Sequence, residues 1–174
     1  MAQSIEEKVR ELIRELADRL LDQEIKMASA ESCTGGWIAQ VATSIPGSSQ
    51  WFEAGLVTYS NAAKQKLLGV SSDLLLPDGP GAVSQETVRA MASGALQCTD
   101  ADVVVATSGI AGPDGGTEDK PVGSVWFAWA HRDGRASARF QQFTGDRYSI
   151  RLASVEQALK GLIGLLDSTK LPDP

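Results

Sequence analysis

Three short segments of the sequence combine serine, threonine and glycine residues where buried strands are expected to end. They are ESCTGG (31–36), TYSNAAK (58–64) and TSGIAGPDGG (107–116). Hydroxyl groups can act as nucleophiles, and glycine-rich turns let backbone N–H groups approach an anion or an oxyanion. In open α/β sheets, ligands bind beyond the carboxyl ends of parallel strands. The three segments are therefore predicted to form one site.

A serine and a lysine are the candidate catalytic pair. Lys64 and Tyr59 flank a predicted strand-to-helix turn. A lysine here is either a surface charge or a partly buried amine, and burial would lower its pKa enough for it to accept a proton from a serine. Ser32, at a strand–turn–helix junction, and Ser49 supply the candidate hydroxyls, and the neighbouring Ser48 is expected to bind substrate. Spacing alone leaves the choice of nucleophile open.

Two other nucleophilic arrangements are disfavoured. His131 is the only histidine, and it lies in a predicted hairpin turn away from the three segments. A Ser-His-Asp triad is therefore not expected. Cys33 has no nearby histidine to activate it, so it is better interpreted as a small buried residue than as a rival nucleophile.

The first segment is predicted to bind an anion or an oxyanion. The turn at Thr34, Gly35 and Gly36 opens a helix, whose free N–H groups and positive dipole end suit a phosphate or a developing negative charge. Glu31 precedes this turn, and it either caps the helix or is a buried acid with a partner. The spacing matches neither a P-loop nor a dinucleotide-binding fingerprint.

The third segment is expected to complete the binding site. Thr107 and Ser108 end the strand, and the loop containing Gly109 and Gly112 can supply N–H groups, although such a loop can also be purely structural. Arg147 begins the last predicted helix. It either clamps an anion with two hydrogen bonds or pairs with an acid at the surface.

Composition excludes several classes of function. The 174 residues are predicted to form a single domain, 1–174. A net charge of −6 with no basic run disfavours a nucleic-acid partner, and one histidine with two cysteines suggests no metal site. So few cysteines indicate a reducing cytoplasm, and the charged N-terminal segment does not resemble a signal peptide. No apolar run reaches the ~20 residues that cross a membrane.

Hydrophobic periodicity predicts helices that alternate with strands. The helices are expected at 4–22, 34–45, 61–69, 84–97 and 146–166, and the strands at 25–30, 52–60, 101–112, 124–130 and 136–145. Ser4, Asn61, Ser84 and Asp146 are predicted to cap four of these helices. Strands joined by helices should be parallel, whereas the last two strands, with Asp133 and Gly134 at their turn, should form a hairpin. This order predicts an α/β fold of three α/β/α layers around a mixed, mostly parallel sheet.

Six motifs together resemble the CinA C-terminal domain family. They are AESCTGG, GSSQWFEAGLVTYSNAAKQKLLGV, GAVSQETVRAMASGAL, TSGIAGPDGG, KPVGSVWFA and GDR, and they occur in the family's order over roughly residues 5–165. The resemblance implies an amidohydrolase that converts nicotinamide mononucleotide (NMN) to nicotinate mononucleotide and ammonia, recycling pyridine nucleotide toward NAD. It also implies a metal-independent and cofactor-free mechanism centred on a serine and a lysine.

The resemblance favours Ser49 as the nucleophile, because Ser49 lies in the GSS motif upstream of Tyr59 and Lys64. Ser32 and Thr34 would then bind substrate, with Tyr59 orienting the lysine or passing a proton to the leaving ammonia. Two alternatives stay open: a nucleotide-binding regulatory module without catalysis, suggested by family names linked to competence and DNA damage, and an amidohydrolase acting on another small amide. The predicted strand 124–130 permits a homodimer surface.

Overall fold

The computed structural model describes residues 4–168, which fold around a five-stranded sheet. Its strands are β1 (Met27–Glu31), β2 (Phe52–Val57), β3 (Val103–Gly109), β4 (Ser124–His131) and β5 (Ala136–Gln142). They lie in the order β2-β1-β3-β4-β5. β1 pairs in parallel with both β2 and β3, whereas β3–β4 and β4–β5 are antiparallel, so every strand except β4 points the same way. The predicted mixed, mostly parallel sheet is confirmed.

The helices lie between and around these strands. They are α1 (Ile5–Asp22), α2 (Trp37–Thr43), α3 (Asn61–Leu68), α4 (Gln85–Cys98) and α5 (Arg147–Asp167). The side chains of Ser4, Ser84 and Asp146 cap α1, α4 and α5 by accepting backbone N–H bonds, as the sequence predicts. The prediction that Asn61 caps α3 is wrong: Ser60 accepts the Ala63 N–H, which places Asn61 inside the helix.

Two hydrophobic cores cover the two faces of the sheet. Alternate strand residues point to opposite faces, so Val103 and Val105 join one core while Val104 and Ala106 join the other. Buried residues of α1, α2 and α5 build the first core, and those of α3 and α4 build the second. The predicted layers of helix, sheet and helix are therefore present.

The carboxyl ends of β1, β2 and β3 lie at one edge of the sheet, because these neighbouring strands are parallel. The opposite edge carries the β4–β5 turn, since Val103 at the start of β3 pairs with His131 at the end of β4. No helix within residues 4–168 is long and apolar enough to cross a membrane.

Candidate active site

The three predicted segments meet in a pocket of about 270 Å³ at the carboxyl edge of the sheet. The first contributes Ser32 and Cys33, and the second contributes Tyr59, Asn61 and Lys64. The third supplies most of the remaining wall. Its residues, with those of two further segments, are Ser108, Gly109, Ile110, Ala111, Gly112, Asp114, Gly115, Ala82, Val83 and Arg147. The expectation that the strand ends converge on one pocket agrees with this geometry.

Ser32 and Lys64 form the central contact of the pocket. Ser32 directly follows β1, and Lys64 is the fourth residue of α3. Lys64 Nζ lies 2.9 Å from Ser32 Oγ and 2.9 Å from the carbonyl oxygen of Thr58, to which it donates. Because both partners are uncharged, the ammonium group gains no ion pair to offset its burial.

Burial sets the protonation of the two groups beside Ser32. The side chain of Lys64 is only 1% exposed, and this desolvation lowers its pKa from the usual 10.5. Burial acts in the opposite direction on Cys33, because it raises the pKa of the thiol to about 12. Cys33 is thus held as an unreactive thiol, whereas Lys64 is shifted toward the neutral amine that can accept a proton.

Glu31 holds the turn between β1 and α2. Its buried carboxylate accepts the N–H groups of Gly36, Ile38 and Ala39 at 2.9 to 3.1 Å, and also the hydroxyl of Ser29. The start of α2 is therefore already occupied by a carboxylate from the same chain. The prediction that free N–H groups at Gly35 and Gly36 receive a substrate anion is wrong for Gly36, and Gly35 donates to the Ser32 carbonyl. Both interpretations of Glu31 are confirmed, because the carboxylate caps α2 and is buried with Ser29 as a partner.

The remaining hydroxyl groups differ in their access to the pocket. Thr34 and Thr107 are fully buried, and their hydroxyl oxygens lie 2.9 Å apart, so they tie the first segment to β3. Neither lines the pocket. Ser108 does line it, but its hydroxyl donates to the carbonyl of Ala82 at 2.7 Å and is committed to holding that loop. These residues therefore shape the pocket, and Ser32 is the serine of the pocket whose hydroxyl contacts the lysine.

Arg147 links the second and third segments across the pocket. Its guanidinium donates to the hydroxyl of Tyr59 at 2.8 Å and to the carbonyl of Gly112 at 2.7 Å. Both partners are uncharged, so neither neutralises the positive charge of the Arg147 guanidinium. The expected contact between Tyr59 and the lysine is absent among the described residues, because the hydrogen bonds of Lys64 go to Ser32 and Thr58.

The structure places Ser48 and Ser49 at the other edge of the sheet. They form a short 3₁₀ turn before β2, whereas Lys64 follows the far end of that strand. At about 3.3 Å per residue, β2 separates the two ends by roughly 17 Å. Neither serine lines the pocket, and Ser49 is exposed. The preference for Ser49 as nucleophile does not fit this geometry, since parallel pairing brings Ser32 to the lysine instead.

Sequence reasoning missed four residues around the pocket. The carbonyl of Thr58 and the side chain of Arg151 act through backbone contacts, which no residue pattern reveals. Asn61 and Asp114 line the pocket directly. Both belong to the quoted segments, so their polar side chains at predicted strand ends were a usable signal.

Within residues 4–168, no group of three or more His, Cys, Asp and Glu residues is placed to hold a metal ion.

Comparison with known sequences decides the family. The sequence model of the CinA C-terminal domain matches residues 9–166, nearly the whole chain. The chain belongs to the CinA C-terminal domain family. The sequence resemblance drawn from six motifs is thereby confirmed.

Individual relatives within this family have assigned activities. The nicotinamide-nucleotide amidohydrolase PncC of Enterobacter agglomerans is 50% identical over 162 residues, which cover 91% of this chain and 98% of the relative. The enzyme of the same name from Escherichia coli K12 is 52% identical over 136 residues, covering 78% and 81%. Among solved structures, the competence/damage inducible protein CihA from Agrobacterium tumefaciens has a TM-score of 0.87 at 42% identity, covering 91% of this chain and 95% of its own.

Proposed function

We propose that this chain is an enzyme that hydrolyses the carboxamide of NMN to nicotinate mononucleotide and ammonia. The observation that carries the mechanism is the 2.9 Å contact between Ser32 Oγ and the buried Lys64 Nζ. Relatives about half identical over most of the chain carry the name of this activity, which identifies the substrate.

The first step is attack by Ser32 on the carboxamide carbon. Lys64, as the neutral amine, takes the hydroxyl proton while Oγ forms a bond to the carbon. The carbonyl oxygen becomes an oxyanion. Because the lysine pKa is lowered by burial, this proton transfer does not require histidine.

Backbone N–H groups beside Ser32 are suited to hold the oxyanion. The N–H group of Cys33, a residue that lines the pocket, makes no hydrogen bond to another residue in 4–168. The Gly109 N–H points toward the end of β1, as does the Thr107 carbonyl that accepts the Ser32 N–H. In a continued parallel ladder the Gly109 N–H would donate to the Ser32 carbonyl. That carbonyl instead accepts the Gly35 N–H, so the Gly109 N–H is left without this partner. Such pre-oriented donors stabilise a tetrahedral intermediate.

Collapse of the intermediate releases ammonia and leaves an acyl-enzyme. Lys64 returns its proton to the departing nitrogen as the carbon–nitrogen bond breaks, so the lysine is neutral again. Water then attacks the ester carbon, again giving a proton to Lys64, and the Ser32 oxygen takes that proton as nicotinate mononucleotide leaves. One water is consumed, and serine and lysine end as they began.

The charges of the pocket suit the two ends of NMN. The guanidinium of Arg147 is held by neutral partners and can bind the 5′-phosphate through charge-assisted hydrogen bonds. The carboxylate of Asp114 lines the same pocket and can accept hydrogen bonds from the ribose hydroxyls or face the pyridinium charge. The substrate would thus be oriented with its carboxamide toward Ser32.

The deciding experiment measures ammonia and nicotinate mononucleotide formed from NMN, with and without a chelator. We expect wild-type turnover that resists the chelator. Ser32→Ala should lose at least about a thousandfold in kcat. The matched control, Ser49→Ala, removes an exposed hydroxyl from the other edge and should keep wild-type activity.

Other outcomes would redirect the proposal. Loss of activity in Ser49→Ala with an active, folded Ser32→Ala would return the nucleophile to Ser49. NMN binding without ammonia release by the wild type would favour a nucleotide-binding module, and release from other amides alone would favour a different substrate. The cytoplasmic location, the absence of a nucleic-acid partner and the possible dimer stay predictions.

A further inference from the structure

We propose that Arg151 is a positioning residue that holds the turn following Ser32, so that the free backbone N–H of Cys33 faces the reacting carbonyl. This inference rests on the proposed amidohydrolase function. Arg151 itself does not line the pocket, so it would act through the turn and not through substrate.

The guanidinium of Arg151 donates hydrogen bonds to two consecutive carbonyls of the turn. Its Nε donates to the Cys33 oxygen at 3.1 Å, and its Nη2 donates to the Thr34 oxygen at 2.7 Å. In a planar trans peptide, the carbonyl and the next N–H point in opposite directions. Holding the Cys33 carbonyl therefore fixes the peptide between Cys33 and Thr34, and with it the position of Cys33 at the pocket wall.

The turn is fixed from both directions by opposite charges. Glu31 accepts N–H groups from the start of α2, and Arg151 donates to carbonyls just before it. The carbonyl of Ser32 accepts the Gly35 N–H. Once these bonds are made, the N–H groups of Cys33 and Thr34 are those still free among the turn residues. Two charged side chains thus select which backbone N–H groups of the turn are left unpaired, and of these two residues Cys33 lines the pocket.

The surroundings of Arg151 are built to keep it in this position. The guanidinium lies over the ring of Trp37, 5.1 Å from the centroid, and Trp37 packs against Tyr148 at 5.2 Å. Gly35 makes room for the guanidinium, because a Cβ at this position would lie 3.2 Å from Nη2. Gly35 also has φ +62°, a left-handed conformation that disfavours other residues. This assigns Gly35 a role in holding the turn.

The test separates binding of NMN from stabilisation of the tetrahedral state. The aldehyde analogue, pyridine-3-carbaldehyde mononucleotide, can add the serine oxygen to its carbonyl and place an oxygen where the oxyanion forms. NMN and nicotinate mononucleotide report ground-state binding. The variants are Arg151→Lys, which cannot reproduce the two-pronged geometry, and Arg151→Met. The matched control is Arg132→Met, since Arg132 donates to the carbonyls of Leu96, Thr99 and Ala101 at the opposite edge.

We expect Arg151→Met to lose about 10- to 100-fold in kcat, with KM for NMN changed by no more than about twofold. Affinity for the aldehyde should fall by a similar factor, and affinity for nicotinate mononucleotide should stay at the wild-type value. Arg151→Lys should lie between wild type and Arg151→Met. Arg132→Met should lower the free energy of unfolding without altering any of these constants.

The inference is overturned if the folded Arg151 variants bind the aldehyde as tightly as the wild type. It is also overturned if aldehyde, NMN and product affinities all fall together, because that pattern indicates a general loss of pocket structure. Failure of the proposed function looks different: the wild type itself would neither release ammonia nor bind the aldehyde more tightly than NMN.

Discussion

The lysine and arginine side chains at the two edges of the sheet have different kinds of partner. At the edge away from the pocket, Lys26 pairs with Glu53 and Arg135 pairs with Asp133, both at 2.8 Å. At the pocket edge, Lys64, Arg147 and Arg151 donate to hydroxyl and carbonyl oxygens instead. None of these three takes part in a salt bridge with a residue in 4–168.

This difference separates cations that stabilise the fold from cations available for chemistry. A carboxylate partner would hold Lys64 in its charged form and would compete with phosphate for Arg147. Neutral partners fix the geometry of both side chains without neutralising them. The pocket edge therefore carries a cost in stability that the ion-paired edge does not.

The strongest test of this contrast replaces the buried lysine. We expect Lys64→Met to lower kcat by at least about a thousandfold, because it removes the amine that contacts the serine hydroxyl and takes its proton. The same change should raise the free energy of unfolding near neutral pH, since it removes a charge from a buried position. Ammonia release and chemical denaturation measure the two effects. Lys26→Met should do the reverse, with lower stability and unchanged activity.

The stability gain in Lys64→Met should depend on pH in a defined direction. Burial lowers the pKa of Lys64 below its usual 10.5, so between the lowered pKa and 10.5 the unfolded chain binds more protons than the native protein. Wild-type stability therefore gains from this group as pH rises through that window. The advantage of the methionine variant should be largest below the window and vanish toward 10.5. A constant difference at all pH values would contradict a lowered lysine pKa.

The fold was largely predictable from the sequence because its signals are local and repeated. The apolar run 101–112 and the Asp133-Gly134 turn specify a central strand and a hairpin, and the structure contains both. The cap of α3 was misassigned to Asn61 because Ser60 and Asn61 are both good caps, and only backbone geometry selects one.

The site was less predictable, because strand register and backbone contacts decide it. Ser32 and Ser49 have equally suitable side chains, but parallel pairing of β1 with β2 brings only Ser32 to Lys64. The contacts of Thr58 and Arg151 involve carbonyl oxygens, which every residue possesses. The sequence pattern therefore indicates which loops meet, and the chain's path determines which atoms do.

Activity should also report the protonation of Lys64 directly. Below the lowered lysine pKa, kcat/KM should fall about tenfold per pH unit, because protonated lysine cannot accept a proton. The exposed Lys66, two residues later in α3, offers the matched control: Lys66→Met should leave the acid limb unchanged. An acid limb centred at or above 10.5 would contradict burial as the source of catalytic basicity.

Replacement of Arg147 should affect binding more than chemistry. Arg147→Met should raise KM for NMN about tenfold or more, because it removes charge-assisted hydrogen bonds to phosphate, while kcat changes little. Nicotinamide riboside, which lacks the phosphate, should be hydrolysed equally well by variant and wild type. The control is Arg139→Met on the exposed edge strand β5. Equal losses on both substrates would show that Arg147 does not bind phosphate.

The smallest effect is expected at Tyr59, which is 59% exposed and accepts a hydrogen bond from Arg147. Tyr59→Phe should raise KM for NMN by about twofold to fivefold, because one neutral hydrogen bond that orients the guanidinium is lost. The value of kcat should be unchanged, since Lys64 contacts Ser32 and Thr58 instead. A hundredfold fall in kcat with normal KM would instead assign Tyr59 a proton-transfer role in ammonia release. The pocket edge would then depend on a hydroxyl that reaches Lys64 only when substrate is bound.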